Sequence, residues 1–268
     1  HHKKLEKQTS EIAVTMDKLS LPRGQMETDY QKMLRSLYIT LQQQINELEN
    51  GQVEQAEYFT MWVHQIKTPI AALRLLLAEE EDERSQEMWE ELFSIEQYVE
   101  MALQFSRLSA KSTDFVIGEV SLDKVVREAI HKYARLFVRK KIKMELSSID
   151  TQVVTDEKWL EFVIEQILSN AIKYTAGGTI SVYLKEEPEQ ETKELVIEDT
   201  GIGIAPEDLP RIFEKGYTGY NGHADKRSTG IGLYLCRKIM RKLSHEITIE
   251  SEIGVGTKVH LEMRSRDK

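Results

Sequence analysis

From about Glu27 to Ala78 the chain carries one unusually long helical pattern. Leu34, Leu37, Leu41, Ile45 and Leu48 form one stripe among many Gln and Glu; Gly51 and Gln52 interrupt it only lightly. It resumes through Phe59 into a tighter seam of Val63, Ile66, Ile70, Leu73 and Leu77. An apolar period near 3.5 sustained this far predicts a coiled coil feeding a bundle. A single stripe of that length needs a partner to bury it, so a dimer is expected. The acidic run Glu79 to Glu83 closes the pattern, and Arg84-Ser85-Gln86 reads as the turn of a helical hairpin. A second helix follows, with Met88, Leu92, Ile95, Val99, Ala102, Phe105 and Leu108 spaced by threes and fours. Two such helices per chain, doubled, make a four-helix bundle.

The seam orients the stretch MWVHQIKTPIAA, Met61 to Ala72. At about 100° per residue, His64 points away from the seam into water, with Thr68 beside it one turn on. Pro69 cannot donate to the Gln65 carbonyl and clashes with it, which loosens the helix next to the histidine. An exposed imidazole beside a weak point suits a nucleophile that must meet several partners. A plain surface histidine on a coiled coil would look the same, and the second half of the chain decides between them.

At 268 residues the chain has room for two domains, and 40% hydrophobic residues supply a core for each. A net charge of -9 argues against general nucleic-acid binding, while local Lys and Arg can still hold a nucleotide. The single cysteine, Cys236, excludes an internal disulfide framework and a cysteine-rich metal site. No apolar run approaches the roughly 20 residues that span a bilayer, and no secretory signal is read. The two leading histidines resemble the remnant of an affinity tag.

After Lys111-Ser112-Thr113 the pattern changes. Phe115-Val116-Ile117 reads as a short strand, Ser121 as the N-cap of a helix from Leu122 to Arg139, and Ile142, Met144 and Leu146 as an alternating strand. Asp156 caps a helix from Glu157 to Tyr174; strands follow at Thr179–Leu184 and Leu195–Glu198. A helix from Ile231 to Leu243 and strands at 247–249 and 258–261 complete a mixed sheet covered by helices on one face. Three glycine-bearing loops punctuate this half. In Asp199-Thr200-Gly201-Ile202-Gly203-Ile204 a carboxylate at a strand end precedes glycines that admit close approach, a setting that can read an adenine amino group. Ser228-Thr229-Gly230-Ile231-Gly232-Leu233 opens a helix, where backbone N–H groups favour phosphate. Gly254-Val255-Gly256-Thr257 lies between strands and reads equally well as a hairpin turn. On the helix end Ser169 to Thr175, Asn170 and Lys173 share a face; an amide oxygen suits Mg²⁺ and an ammonium suits phosphate.

Taken in order, these motifs resemble the cytoplasmic part of a bacterial sensor histidine kinase. HQIKTP is similar to the phospho-acceptor box, SNAIKYT to the N box, DTGIGI and STGIGL to the two glycine boxes, Arg211-Ile212-Phe213-Glu214-Lys215 to the F box, and GVGT to the last glycine motif. The resemblance implies an α + α/β protein: a helical-hairpin dimerisation bundle, preceded by coiled coil, then a GHKL α/β sandwich. The implied boundaries are 1–55 for tag remnant and coiled-coil signal linker, 56–113 for dimerisation and histidine phosphotransfer, and 114–268 for catalytic ATP binding. It further implies that His64 accepts the γ-phosphoryl group of ATP, that Asn170 with Gln166 binds Mg²⁺, and that Lys173 meets phosphate. Tyr174 would border the ribose or adenine, and Asp199 would hold the adenine amino group. Gly201, Gly203, Thr229, Gly230, Gly232, Leu233 and Thr257 would shape the pocket. Residues 206–229 would form an ATP lid anchored by Phe213, with Arg211, Lys215, Lys226 and Arg227 near phosphate. Thr68 would orient a water for phosphatase action.

Three positions depart from the family pattern. Gln65 stands where an acidic residue usually follows the histidine, and it cannot act as a base. Gln166 replaces a metal-binding Asn, and Ser228 a glycine. The wording WVHQIKTP further resembles the kinases of Gram-positive bacteria that pair with ABC transporters and respond to peptide antibiotics such as bacitracin. The implied partners are a second copy, a response regulator and such a transporter, and the implied setting is the cytoplasmic side of a bacterial cell membrane. Two rivals stand: another ATPase on the same ATP fold, and a kinase-like scaffold or phosphatase without autokinase activity. The first leaves His64 and the Thr68-Pro69 pair unexplained, whereas Gln65 and Gln166 support the second.

Overall fold

The computed structural model describes residues 21–22, 24–78, 82–109, 115–185, 192–219 and 229–264. Contacts divide the chain into two units: residues 1–96 with 109–111, and residues 97–108 with 112–268.

In the first unit, helix α1 (Gln25–Ala78) runs unbroken through Gly51 and Pro69. A mid-helix glycine costs only about 1 kcal/mol relative to Ala, and so long a helix absorbs it. Val63 and Ile70 are buried and Ile66 and Leu77 half-buried, whereas Leu73, placed in the seam from sequence, is exposed. The stripe from Leu34 to Leu48 lies open in the single chain. Arg84, Ser85 and Gln86 are not the hairpin turn: they form the first turn of α2 (Glu83–Ser109), where the Ser85 amide donates to Asp82 Oδ1 at 2.7 Å. That aspartate caps the N-terminus of α2, so these three residues are helical. The α2 residues of this unit bury Leu92 and Phe93 but leave Met88 and Ile95 exposed. Glu96 pairs with Arg74 of α1.

In the second unit, a five-stranded mixed sheet has the order β2 (Ile142–Leu146), β4 (Gly178–Lys185), β5 (Thr192–Asp199), β7 (Gly256–Arg264), β6 (Glu246–Glu252). Only β2 and β4 run parallel. One face is apolar: Ile180, Val182, Leu195, Ile197, Val259 and Leu261 are buried. Helix α5 (Glu157–Tyr174) packs on both α3 (Leu122–Lys132) and α6 (Gly232–Lys242), with α5 against β5 and α6 against β6. Val163, Ile164, Ile167 and Leu168 put α5 at the centre of that core, and Cys236 of α6 faces the Val163 carbonyl. Burial pushes the Cys236 thiol up to about 12.

Three local expectations are corrected. Phe115-Val116-Ile117 is not a strand; the Val116 amide donates to Asp156 Oδ2 at 2.7 Å, and the ladder begins at β1 (Gly118–Ser121). The partner of β1 is β3 (Gln152–Thr155), a four-residue strand too short to show alternation in the sequence. The helix read from Leu122 to Arg139 is two, α3 and α4 (Ala134–Arg139), broken at Tyr133. The Tyr133 ring is buried, and its hydroxyl lies 3.0 Å from Gln97 Oε1; this tertiary anchor overrides helix continuation. Both caps hold: Lys124 N donates to Ser121 Oγ and Trp159 N to Asp156 Oδ1.

Candidate functional site

Asp199 ends β5 opposite Thr257 of β7, a register that brings the first and third glycine loops together. The Gly201 amide donates to Asp199 Oδ1 at 2.8 Å, and Ile202 N donates to the Tyr174 carbonyl at the end of α5. Burial holds the Asp199 carboxyl above its ordinary value, opposed by backbone N–H bonds from Gly201 and Thr257. Gly203 has φ +70, and a Cβ there would run into the Glu252 carbonyl, so only glycine lets this loop close on β6. Asp199, Gly201, Gly203, Tyr174 and Thr257 thus form one place.

Sequence reasoning missed the clamp that closes it. Ser251 Oγ accepts from Ile204 N at 2.9 Å, donates to the Gly256 carbonyl at 2.8 Å and lies 2.9 Å from Thr257 Oγ1. Its register opposite Thr257 was the available signal, once β6 was extended past Ile249. Thr175 was missed too. It is buried, its hydroxyl has no partner, and that oxygen comes within 3.0 Å of a Cβ built on Gly201. An orphaned hydroxyl beside a buried carboxylate is a setting that a polar heterocycle such as adenine fits.

The second group gathers where α6 begins. Thr229 Oγ1 accepts from Ile231 N at 3.3 Å, and Gly216 N donates to the Gly230 carbonyl at 2.9 Å, tying the second glycine box to the F box. Gln166 is buried, with its amide oxygen 2.9 Å from the position of a Cβ on Gly232. Phe213 is half-buried with the Arg237 guanidinium 5.2 Å from its ring centre. Asn170 and Lys173 are half-buried on the last turns of α5, and the Lys173 ammonium sits 5.2 Å from the Tyr174 ring centre. Leu233 is half-buried in the first turn of α6. Lys215 is exposed, its ammonium 4.8 Å from the Phe105 ring centre. Lys226, Arg227 and Ser228 lie outside the described residues. Among the described residues no group of three or more His, Cys, Asp or Glu can hold a metal. A neutral amide pair from Asn170 and Gln166 nevertheless fits Mg²⁺ that is bound mainly through phosphates.

In the first unit His64, Gln65 and Thr68 are all exposed, with Val63 buried beside them. The Thr68 hydroxyl donates to the His64 carbonyl at 3.4 Å.

The sandwich and its glycine loops define an ATP-binding domain, and residues 155–267 match the family described as Histidine kinase-, DNA gyrase B-, and HSP90-like ATPase. The chain is 35% identical over 231 residues to the sensor histidine kinase YxdK of Bacillus subtilis (strain 168), covering 86% of this chain and 71% of that protein. It is also 35% identical to the sensor protein BceS of the same strain and to the sensor protein kinase GraS of Staphylococcus aureus (strain MRSA252). Those matches cover 73% and 75% of this chain, and 58% of each relative. In fold it is similar to full-length ShkA solved with AMPPNP (TM-score 0.57, 20% identity, 80% of this chain and 47% of that one). The Acinetobacter baumannii histidine kinase AdeS is another neighbour (TM-score 0.53, 21% identity, 76% and 98%). The chain belongs to the sensor histidine kinases of two-component systems, enzymes that use ATP to phosphorylate histidine.

Proposed function

We propose that His64 is the phospho-acceptor and that residues 114–268 supply its ATP, with 56–113 as the dimerisation and phosphotransfer domain and the preceding coiled coil as signal linker. The observation that carries this reading is that one chain holds both an exposed His64, beside a buried Val63 on α1, and a buried Asp199 at the glycine loops.

Asp199 accepts from the adenine amino group, while Tyr174 and Thr257 line the base and ribose. Thr229, Gly230 and the N-terminus of α6 receive phosphate through N–H and O–H donors, aided by Lys173 and Lys215. Asn170 and Gln166 hold Mg²⁺, which supplies charge neutralisation when bound. A ring nitrogen of His64 attacks the γ-phosphorus; the N–P bond forms as the P–O bond to ADP breaks, and the ring proton leaves to solvent because Gln65 cannot take it. The phosphoryl group then passes to a response-regulator aspartate, and Thr68 orients water for the reverse, phosphatase step. The working form is a homodimer, since the Leu34–Leu48 stripe is open in one chain. The WVHQIKTP wording supports a membrane-anchored kinase that answers peptide antibiotics alongside an ABC transporter, and the likeness to the sensor proteins BceS and GraS supports the sensor role.

The test is incubation with Mg²⁺ and γ-labelled ATP beside His64→Gln and Asn170→Ala. Acid-labile, base-stable label on the parent alone is expected. Absence of label despite ATP binding would overturn the autokinase and favour the phosphatase or scaffold, the reading that Gln65 supports.

A further inference from the structure

Within the second unit, one face of α2 touches the rest of the unit at helical intervals, twice at the candidate nucleotide site. Gln97 Oε1 takes the Tyr133 hydroxyl at 3.0 Å. Met101, one turn on, accepts from the Thr229 hydroxyl, Oγ1 to Sδ 3.4 Å, and its methyl carbon lies 3.9 Å from the position of a Cβ on Gly232. Phe105, another turn on, carries the Lys215 ammonium over its ring at 4.8 Å. The Leu108 carbonyl accepts from Lys242 Nζ at 3.1 Å. Spacing of four, four and three is one helix face, and two of its four contacts fall on groups assigned above to phosphate.

We propose that this face of α2 is a latch that competes with bound nucleotide for Thr229 and Lys215, so that ATP binding and release of α2 are coupled. The idea rests on the nucleotide site proposed above. A threonine hydroxyl has one proton to give, and a thioether is a weak acceptor. A phosphate oxygen is a charged, strong one. Likewise an ammonium over a phenyl face gains less than an ammonium on phosphate. Phosphate therefore draws Thr229 and Lys215 off Met101 and Phe105, leaving the Gln97–Tyr133 and Leu108–Lys242 contacts to hold α2. By linkage, whatever loosens α2 raises affinity for phosphate, and bound phosphate loosens α2 by the same factor.

The experiment uses the whole chain and measures dissociation constants for a non-hydrolysable Mg²⁺–ATP analogue and for adenosine. Met101→Ala, which unloads Thr229, and Gln97→Ala, which unfastens α2 from Tyr133 away from the phosphate groups, are each expected to tighten the ATP analogue by about fivefold or more. Adenosine, lacking phosphate, is expected to bind unchanged. In the parent chain, saturation with the analogue is expected to speed peroxide oxidation of Met101 to the sulfoxide. Unchanged or weaker analogue binding in both variants, equal tightening of adenosine, or oxidation that is unchanged or slowed by nucleotide would overturn the latch. Asp199→Asn separates the two ideas: retained adenosine binding there sinks the site assignment, whereas its loss with no Met101 effect sinks the latch alone.

Discussion

Gly201 and Asp199 are locked together, the amide of one donating at 2.8 Å to the carboxylate of the other, two residues upstream. The bond orients the carboxylate while burial raises its pKa. Protonation therefore begins at a higher pH than for an ordinary aspartate, and the neutral acid loses acceptor capacity. Nucleotide affinity should fall on acidification, starting at a higher pH than an ordinary aspartate would give. Asp199→Asn should weaken binding by about tenfold or more, the scale of a hydrogen bond to a charged group. Titration calorimetry across pH reads both; a flat profile in the parent would count against the assignment.

Gly203→Ala should damage both stability and binding. The left-handed φ costs about 1–2 kcal/mol for an L-residue, and the methyl meets the Glu252 carbonyl besides. A lowered thermal midpoint together with weakened nucleotide binding is expected. Gly177→Ala shares a positive φ but has open space around it, and should cost only the backbone term.

Asp156 serves two amides, Trp159 at 3.1 Å and Val116 at 2.7 Å. Asp156→Ala removes an N-cap and frees the lead-in to β1. A loss of about 1–2 kcal/mol is expected for the cap, measurable by denaturant unfolding, and Asp156→Asn should recover part of it.

His245 is buried after α6, and neither ring nitrogen has a hydrogen-bond partner. Burial depresses its pKa; the backbone of Ser244 opposes that shift, and repulsion from the Arg264 charge adds to it. The unfolded chain thus binds the proton more readily than the folded one. Stability is full above the unfolded value near 6.5 and falls as pH drops below it, levelling once the folded form also protonates. Unfolding measured from pH 8 to 5 should show that slope, and His245→Leu should flatten it.

Much of this was legible in residue spacing. The period through Val63, Ile66 and Ile70 placed His64 in water, and Asp156 and Ser121 announced their helices. What stayed hidden depended on tertiary partners. Tyr133 breaks a good helical pattern because its hydroxyl reaches Gln97. Val116 and Ile117 look β-forming, yet Asp156 takes the first amide and both side chains are exposed. Ser251, Thr175 and Met101 gain meaning only from what folding sets against them.

The lone thiol has a practical consequence. Cys236 is fully enclosed and holds its proton to about 12, so electrophiles that seek thiolate will pass it by. A cysteine engineered at the surface would then be the single labelled point on the chain. A second one would allow paired dyes or spin labels on α2 and α6 to follow their separation as nucleotide is added, without first stripping a native residue from the core.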